Sequence, residues 1–259
     1  MRRAIVLTAV VLVWTVQAGA QFVAPGGSIP VVANIPGEED TFWRSDVNIF
    51  NLDTAATSVT LVLFPELTDD GPAFDLMVSD PIPVPGGGQV TLRNVVTGVF
   101  GLRNVKGGLS VLSNDFLPLV LGSRTYTDDP EGGTYGQNVE GVVLLNDTAW
   151  VAGVQHDGFS RTNVGVFLNI PPSPLTIVFS VTVKDGAGEV VGSGSLLFDQ
   201  AGLQQKSLGT FGVSDPLLDG TVEFHCSDCA DQSVPWFAYA SVVDQATGDA
   251  VYRAAIGHQ

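Results

Sequence analysis

Apolar and polar residues alternate along short stretches of the chain, most regularly at Phe42-Trp43-Arg44-Ser45-Asp46-Val47-Asn48-Ile49-Phe50-Asn51. Trp43, Ser45, Val47 and Ile49 fall on one face, and Arg44, Asp46, Asn48 and Phe50 on the other. That is the period of two of a β-strand. The pattern returns at a constant offset of 117, as Phe159-Ser160-Arg161-Thr162-Asn163-Val164-Gly165-Val166-Phe167-Leu168. An Arg followed two residues later by Asp or Asn is kept on one face, and the Val/Ile end is kept on the other. A slip of one residue would turn the Val/Ile set outward, so the pattern pins the pairing register.

Around each copy the same order of elements is expected. In the first, residues 29–33 read as an edge strand, because Pro30 is tolerated there. Residues 57–64 read as a strand buried on both faces. Residues 74–84 read as a return strand, brought to an edge by Pro81 and Pro83, and 89–92 as a further strand. Val95, Val96, Val99 and Phe100 have the spacing of one helical turn. Residues 107–112 and 117–127 close the unit. The second copy offers strands at 150–154, 175–184, 189–198 and 203–208, an echo of the helical turn at 208–213, and strands at 220–224, 235–242 and 250–253. Residues 235–242 match 118–125 at the same offset of 117. An offset that returns after small insertions and deletions indicates a duplication.

Composition agrees. Hydrophobic residues make up 45% of the 259, with 30 Gly and 15 Pro, as suits many short strands joined by tight turns. The expected fold is all-β, two tandem immunoglobulin-like antiparallel sandwiches at 21–128 and 150–259. The 129–149 segment between them reads as a linker, with Val139, Val142, Val143 and Leu144 docking it. A Cys…Trp…Cys framework is missing, which excludes an antibody-type domain. Arg2-Arg3, the apolar run 4–16 and Ala18-Gly19-Ala20 have the layout of a secretory signal cleaved after Ala20, with an apolar run too short to span a membrane. No Cys follows the cleavage point to carry a lipid. The expectation is a periplasmic or extracellular protein. The net charge of −16 sets the surface against nucleic-acid phosphate and anionic membranes.

The run Phe42-Trp43-Arg44-Ser45-Asp46-Val47 and the ending Phe237-Ala238-Tyr239-Ala240-Ser241-Val242-Val243-Asp244-Gln245-Ala246-Thr247-Gly248-Asp249 resemble a group of uncharacterised bacterial exported proteins with a tandem immunoglobulin-like β-sandwich repeat. The resemblance covers nearly all of the chain after the signal. It implies the fold and export, and assigns no site. The cysteine pair and Leu168 are departures from the group's pattern.

Several residues are candidates for chemistry. Cys226-Ser227-Asp228-Cys229 in an exported chain is expected to form a local disulfide that stiffens a turn. A metal reading would use His225, Cys226 and Cys229 and lacks a nearby fourth ligand. A redox reading is opposed by Asp228, which disfavours thiolate. Acidic turns at Glu38-Glu39-Asp40, Asp69-Asp70 and Asp128-Asp129 are candidate Ca2+ contacts, without the Asp-x-Asp-x-Asp-Gly run that makes oxygens converge. Arg44, Asp46, Arg161 and Asn163 are candidate ligand-facing residues. Their alternative role is scaffold, each Arg paired with a carboxylate and its stem laid over the sheet. Trp43, Trp150, Trp236, Tyr126, Tyr135 and Tyr239 read either as core or as a platform for sugar or peptide. His156-Asp157 is poorly placed for a catalytic pair, because neighbours on a strand point to opposite faces. Nucleophile-elbow, zinc-helix and phosphate-loop motifs are missing. The expected function is therefore a non-catalytic structural or binding module. Its partner is an unidentified protein or polysaccharide; the alternative reading is a carbohydrate-binding protein that uses the loops at the sandwich ends, and a redox or hydrolytic enzyme ranks below both.

Overall fold

The structure, a computed structural model, describes residues 25–37, 41–129, 132–141, 143–169, 176–214, 216–227, 229 and 234–257. The expected signal segment, Glu38-Glu39-Asp40 and Asp228 lie outside the described residues.

The first half contains β1 (Gly26–Pro36), β2 (Phe42–Asn51), β3 (Thr57–Pro65), β4 (Leu67–Thr68), β5 (Gly71–Pro72), β6 (Met77–Val78), β7 (Ile82–Val84), β8 (Gln89–Leu92), α1 (Val95–Phe100), β9 (Val105–Ser113), β10 (Leu119–Asp128) and β11 (Thr134–Asn138). The second contains β12 (Thr148–His156), β13 (Ser160–Leu168), β14 (Ile177–Lys184), β15 (Val190–Phe198), β16 (Gly202–Ser207), a 3-10 turn (Leu208–Phe211), β17 (Leu217–Cys226), β18 (Trp236–Asp244), β19 (Ala250–Ala254) and β20 (Ile256–Gly257).

The chain is an all-β sandwich with antiparallel pairing between its named strands, and the two halves repeat one wiring. β2 lies between β10 and β8, as β13 lies between β18 and β16. β9 lies between β1 and β3, as β17 lies between β12 and β14. Asp46 pairs Arg124, and 117 residues later Asn163 pairs Ser241. Val32 pairs Gly107, and Ala149 pairs Phe224 at the same offset. The faces follow the alternation: Ser45, Val47 and Ile49 are buried, as are Thr162, Val164 and Val166.

Some elements differ from the sequence expectation. β1 is interior, with β9 along its length and the start of β2 at its end. Pro30 falls in a register shift between Ile29 and Val32, where its missing N–H interrupts no regular ladder. β3 buries one face, Thr57, Val59, Leu61 and Leu63, and is covered on both only at Phe64 and Pro65. Residues 74–84 form two short strands on β3 rather than one, with Pro81 unable to donate between them. The 128–133 stretch turns the chain from β10 into β11, Gly132 donating to the Asp129 carbonyl at 3.0 Å. The helical turn forms as α1, with Val95, Val96 and Phe100 buried.

The halves meet sheet on sheet. β13 has two apolar faces: Val164, Val166 and Leu168 enter the second half's own core, whereas Phe167 enters the first half's. Phe167 meets Phe64 edge-on at 5.4 Å and lies 5.6 Å from Phe237. A Cβ at Gly108 would come within 2.1 Å of the Phe167 ring, so glycine is what allows this approach. From the 129–149 segment, Val139 and Leu144 are buried, Val143 is exposed, and Val142 lies outside the described residues.

Candidate functional site

Along the outward faces of β13 and β18, the paired residues change from an aromatic pair at one end to pairs containing Asn163, Ser241 and Arg161 at the other. Phe167 pairs Phe237, Gly165 pairs Tyr239, Asn163 pairs Ser241 and Arg161 pairs Val243. The aromatic end is filled against the first half. The polar end is not, and a cavity of about 410 Å³ opens there between the halves. This volume lies within the usual range of ligand sites, roughly 300–1,000 Å³.

The first half contributes the end of β1, Trp43, Lys106, Thr125 and Gln137 to the wall. Trp43 is placed by the β1–β2 turn, where the Gly37 amide donates to the Thr41 carbonyl at 2.8 Å. A Cβ on Gly37 would sit 2.6 Å from the Trp43 indole nitrogen. The second half contributes Arg161, Asn163, Gln205, Tyr239 and Ser241. Polar links cross the seam: Lys106 Nζ donates to Gln205 Oε1 at 2.6 Å, and Gln137 Nε2 to Ser241 Oγ at 3.1 Å. Lys106 is also paired with Glu66 at 3.1 Å. Tyr239 stacks on Tyr252 at 5.3 Å. Its hydroxyl is buried and has no hydrogen-bond partner, and burial pushes its phenol well above the ordinary tyrosine range.

The repeated Arg-x-Asp/Asn positions do different work in the two copies. Arg44 is paired with Asp128 and lies over the Tyr126 ring at 5.2 Å, the scaffold role weighed for it. Asp46 accepts from Arg93 Nη1 at 3.0 Å, the Asn94 amide at 2.8 Å and the Tyr126 hydroxyl at 3.3 Å. Arg161 and Asn163 line the seam cavity. Lys106, Gln137 and Gln205 were not legible as site residues. They come from three separate strands, and no local motif joins them.

The other candidates are accounted for one by one. Cys226 and Cys229 form a disulfide, and both residues are fully buried in the second core. His225 faces out instead, its Nδ1 3.0 Å from Thr148 Oγ1, because neighbours on a strand alternate. Asp69 accepts from Lys206 Nζ at 3.0 Å, Asp70 is exposed, Asp128 holds Arg44, and the Asp129 carbonyl closes the β10–β11 turn. Among the described residues, no three His, Cys, Asp or Glu side chains gather as a metal site. Asp157 Oδ1 accepts the amides of Phe159 and Ser160, at 2.8 and 2.6 Å. Trp236 and Tyr239 are fully buried; Trp43, Trp150, Tyr126 and Tyr135 are half-buried. Among the described residues, no helix is long and apolar enough to cross a membrane.

No protein-family model and no curated protein matches the chain. Among solved structures, the tandem CBM22-1–CBM22-2 domain of Paenibacillus barcinonensis Xyn10C aligns at 10% identity, over 89% of this chain and 92% of that one, with a TM-score of 0.21. The infectious bursal disease virus VP2 subviral particle aligns at 12% identity over 89% and 71%, with a TM-score of 0.22. A glycosyl hydrolase family 2 member from Bacteroides cellulosilyticus aligns at 11% identity over 89% and 27%, with a TM-score of 0.19. Overlaps this low carry neither fold nor function across.

Proposed function

We propose that the protein is an exported, non-catalytic binding module and that the seam cavity is where it holds its partner. The observation that carries this reading is the composition of the wall: amides, hydroxyls and two cationic side chains gathered beside one tryptophan, with both halves contributing. Such a wall can orient a polar ligand by hydrogen bonds. Export is supported by the N-terminal charge and apolar pattern and by the cysteine pair, whose bridge persists in an oxidising compartment.

The test is a thermal-shift series on the chain from Gln21, run against polysaccharides and against fractionated secreted proteins. A partner that binds only the folded state raises the melting temperature according to its concentration over its dissociation constant. The shift is expected to disappear in a Trp43→Ala/Asn163→Ala variant. A partner bound equally well by that variant would move the site away from the seam. No shift with any fraction would leave a purely structural module.

A further inference from the structure

The sequence holds four Asp-Gly pairs, Asp70-Gly71, Asp157-Gly158, Asp185-Gly186 and Asp219-Gly220, and no Asn-Gly pair. In such a pair the glycine nitrogen can reach the aspartate carboxyl carbon, because no Cβ shields it. We propose that Asp70 is the one of the four at which isoaspartate forms spontaneously. The change would accumulate with the protein's age at a point where the first half grips the second.

The structure separates the four. Asp157 Oδ1 accepts the amides of Phe159 and Ser160 at 2.8 and 2.6 Å. Asp185 Oδ1 accepts those of Ala187 and Glu189, each at 2.9 Å. Gly220 is buried in β17 opposite Val154. A Cβ there would lie 2.9 Å from the Val154 side chain, so a new ring has no room. Asp70 is exposed in the turn between β4 and β5, and its carboxylate is held by no hydrogen bond or ion pair among the described residues. Gly71 has a φ of 107° and open space around its α-carbon. Two ladder pairs, Leu67 with Pro72 and Thr68 with Gly71, make up this small sheet, so it opens locally at low cost.

The Gly71 nitrogen attacks the Asp70 carboxyl carbon. A C–N bond forms, the acid's hydroxyl leaves with the amide proton as water, and a five-membered succinimide results. Water then opens the ring. Attack at the former main-chain carbonyl leaves the chain running through the Asp70 side chain, one atom longer. Attack at the other carbonyl restores aspartate. The longer turn cannot keep the same pairing of Thr68 with Gly71. The effect reaches the seam, because Leu67 is buried in the second half's core and Asp69 accepts from Lys206 Nζ at 3.0 Å.

The test is to age the chain from Gln21 at neutral pH and body temperature in heavy-oxygen water, then map its peptides by mass spectrometry with electron-transfer fragmentation. Each ring opening takes one labelled oxygen from the solvent, and the fragments distinguish isoaspartate from aspartate. Label and isoaspartate at Asp70 should exceed those at Asp157, Asp185 and Asp219 about tenfold, since those sites must first give up a hydrogen bond or open a sheet. Asp70→Glu, which would need a six-membered ring, should lose the label in that peptide and leave the other three sites unchanged. Equal label at all four, more at another pair, or none at Asp70 would overturn the assignment. Label retained in the Asp70→Glu peptide would also overturn it, by placing the reaction at Asp69. In aged chains carrying the isoaspartate, amide hydrogen exchange across 66–73 should quicken; unchanged exchange would overturn the effect on the seam.

Discussion

Asp46 and Asn163 are equivalent positions that differ by one oxygen exchanged for an amide nitrogen. The carboxylate of Asp46 is buried and needs its donors, which Arg93, Asn94 and Tyr126 provide. An amide carries no charge, so Asn163 can line a cavity without a counter-ion. A second polar cluster allows a direct test of pH dependence. Glu223 lies 2.8 Å from Lys184 Nζ and 3.3 Å from the Trp150 indole nitrogen. The hydrogen bond from Lys184 holds its carboxyl below the usual glutamate range, with Trp150 helping and burial opposing. A lowered folded value contributes stability that is present above the ordinary carboxylate range and is lost as pH falls through the folded value. The pair is partly solvated, so the contribution is small. In Lys184→Met, carbon-detected NMR should find the Glu223 midpoint raised, and the stability gap to wild type should close as pH falls below the wild-type midpoint. A midpoint unchanged by the substitution would show that Lys184 does not set it.

At the scale of elements, β13 decides how the halves join. It supplies alternate side chains to two hydrophobic clusters, and Phe167 is the one that leaves its own half. Its seat depends on Gly108 opposite. The ring is held between Phe64 and Phe237 and cannot step aside, so Gly108→Ala must push backbone or ring. Overpacking of this kind costs about 1–3 kcal/mol. The urea midpoint should fall with an unchanged slope. An unchanged midpoint would mean that the ring is not packed against β9. The disulfide acts locally by contrast: Cys226 and Cys229 are close in sequence, so their bridge closes a short loop and stiffens the end of β17.

At the scale of the molecule, the duplication stacks head to tail. The outward face of β13 and β18 docks on the β1, β9 and β3 layer of the first half. The corresponding outward face of the first half carries Arg44, Asp46, Arg124 and Tyr126, tied together by an ion pair with Asp128 and by two cations over one ring. A repeated heterologous contact would continue into a filament, and a polar, self-satisfied face resists that continuation. The second half produced alone, from Thr148 onward, would expose Phe167, Phe237 and Tyr239. It is expected to aggregate or self-associate, because in the intact chain this patch is covered by the first half. Light scattering on the isolated half checks this, and a monodisperse monomer would contradict the seam described here.

Much of this was readable from residue order. The alternation at 42–51 and 159–168, and their offset, determined strand faces and a duplicated all-β sandwich, because one-sided burial forces a period of two on the sequence. The spacing of Cys226 and Cys229 determined a local bridge. Prolines were read less well: Pro30 sits in a bulge of an interior strand, since pairing partners, not the residue itself, decide what is an edge. The seam was out of reach. Phe50 and Phe167 occupy the same place in the repeat, yet Phe167 is fully buried and Phe50 is not. Which one is covered depends on glycine at 108, a residue distant in sequence. The cavity is decided in the same way, by strands from both halves brought side by side. Local pattern fixes which way a side chain points, and only tertiary packing fixes what it meets.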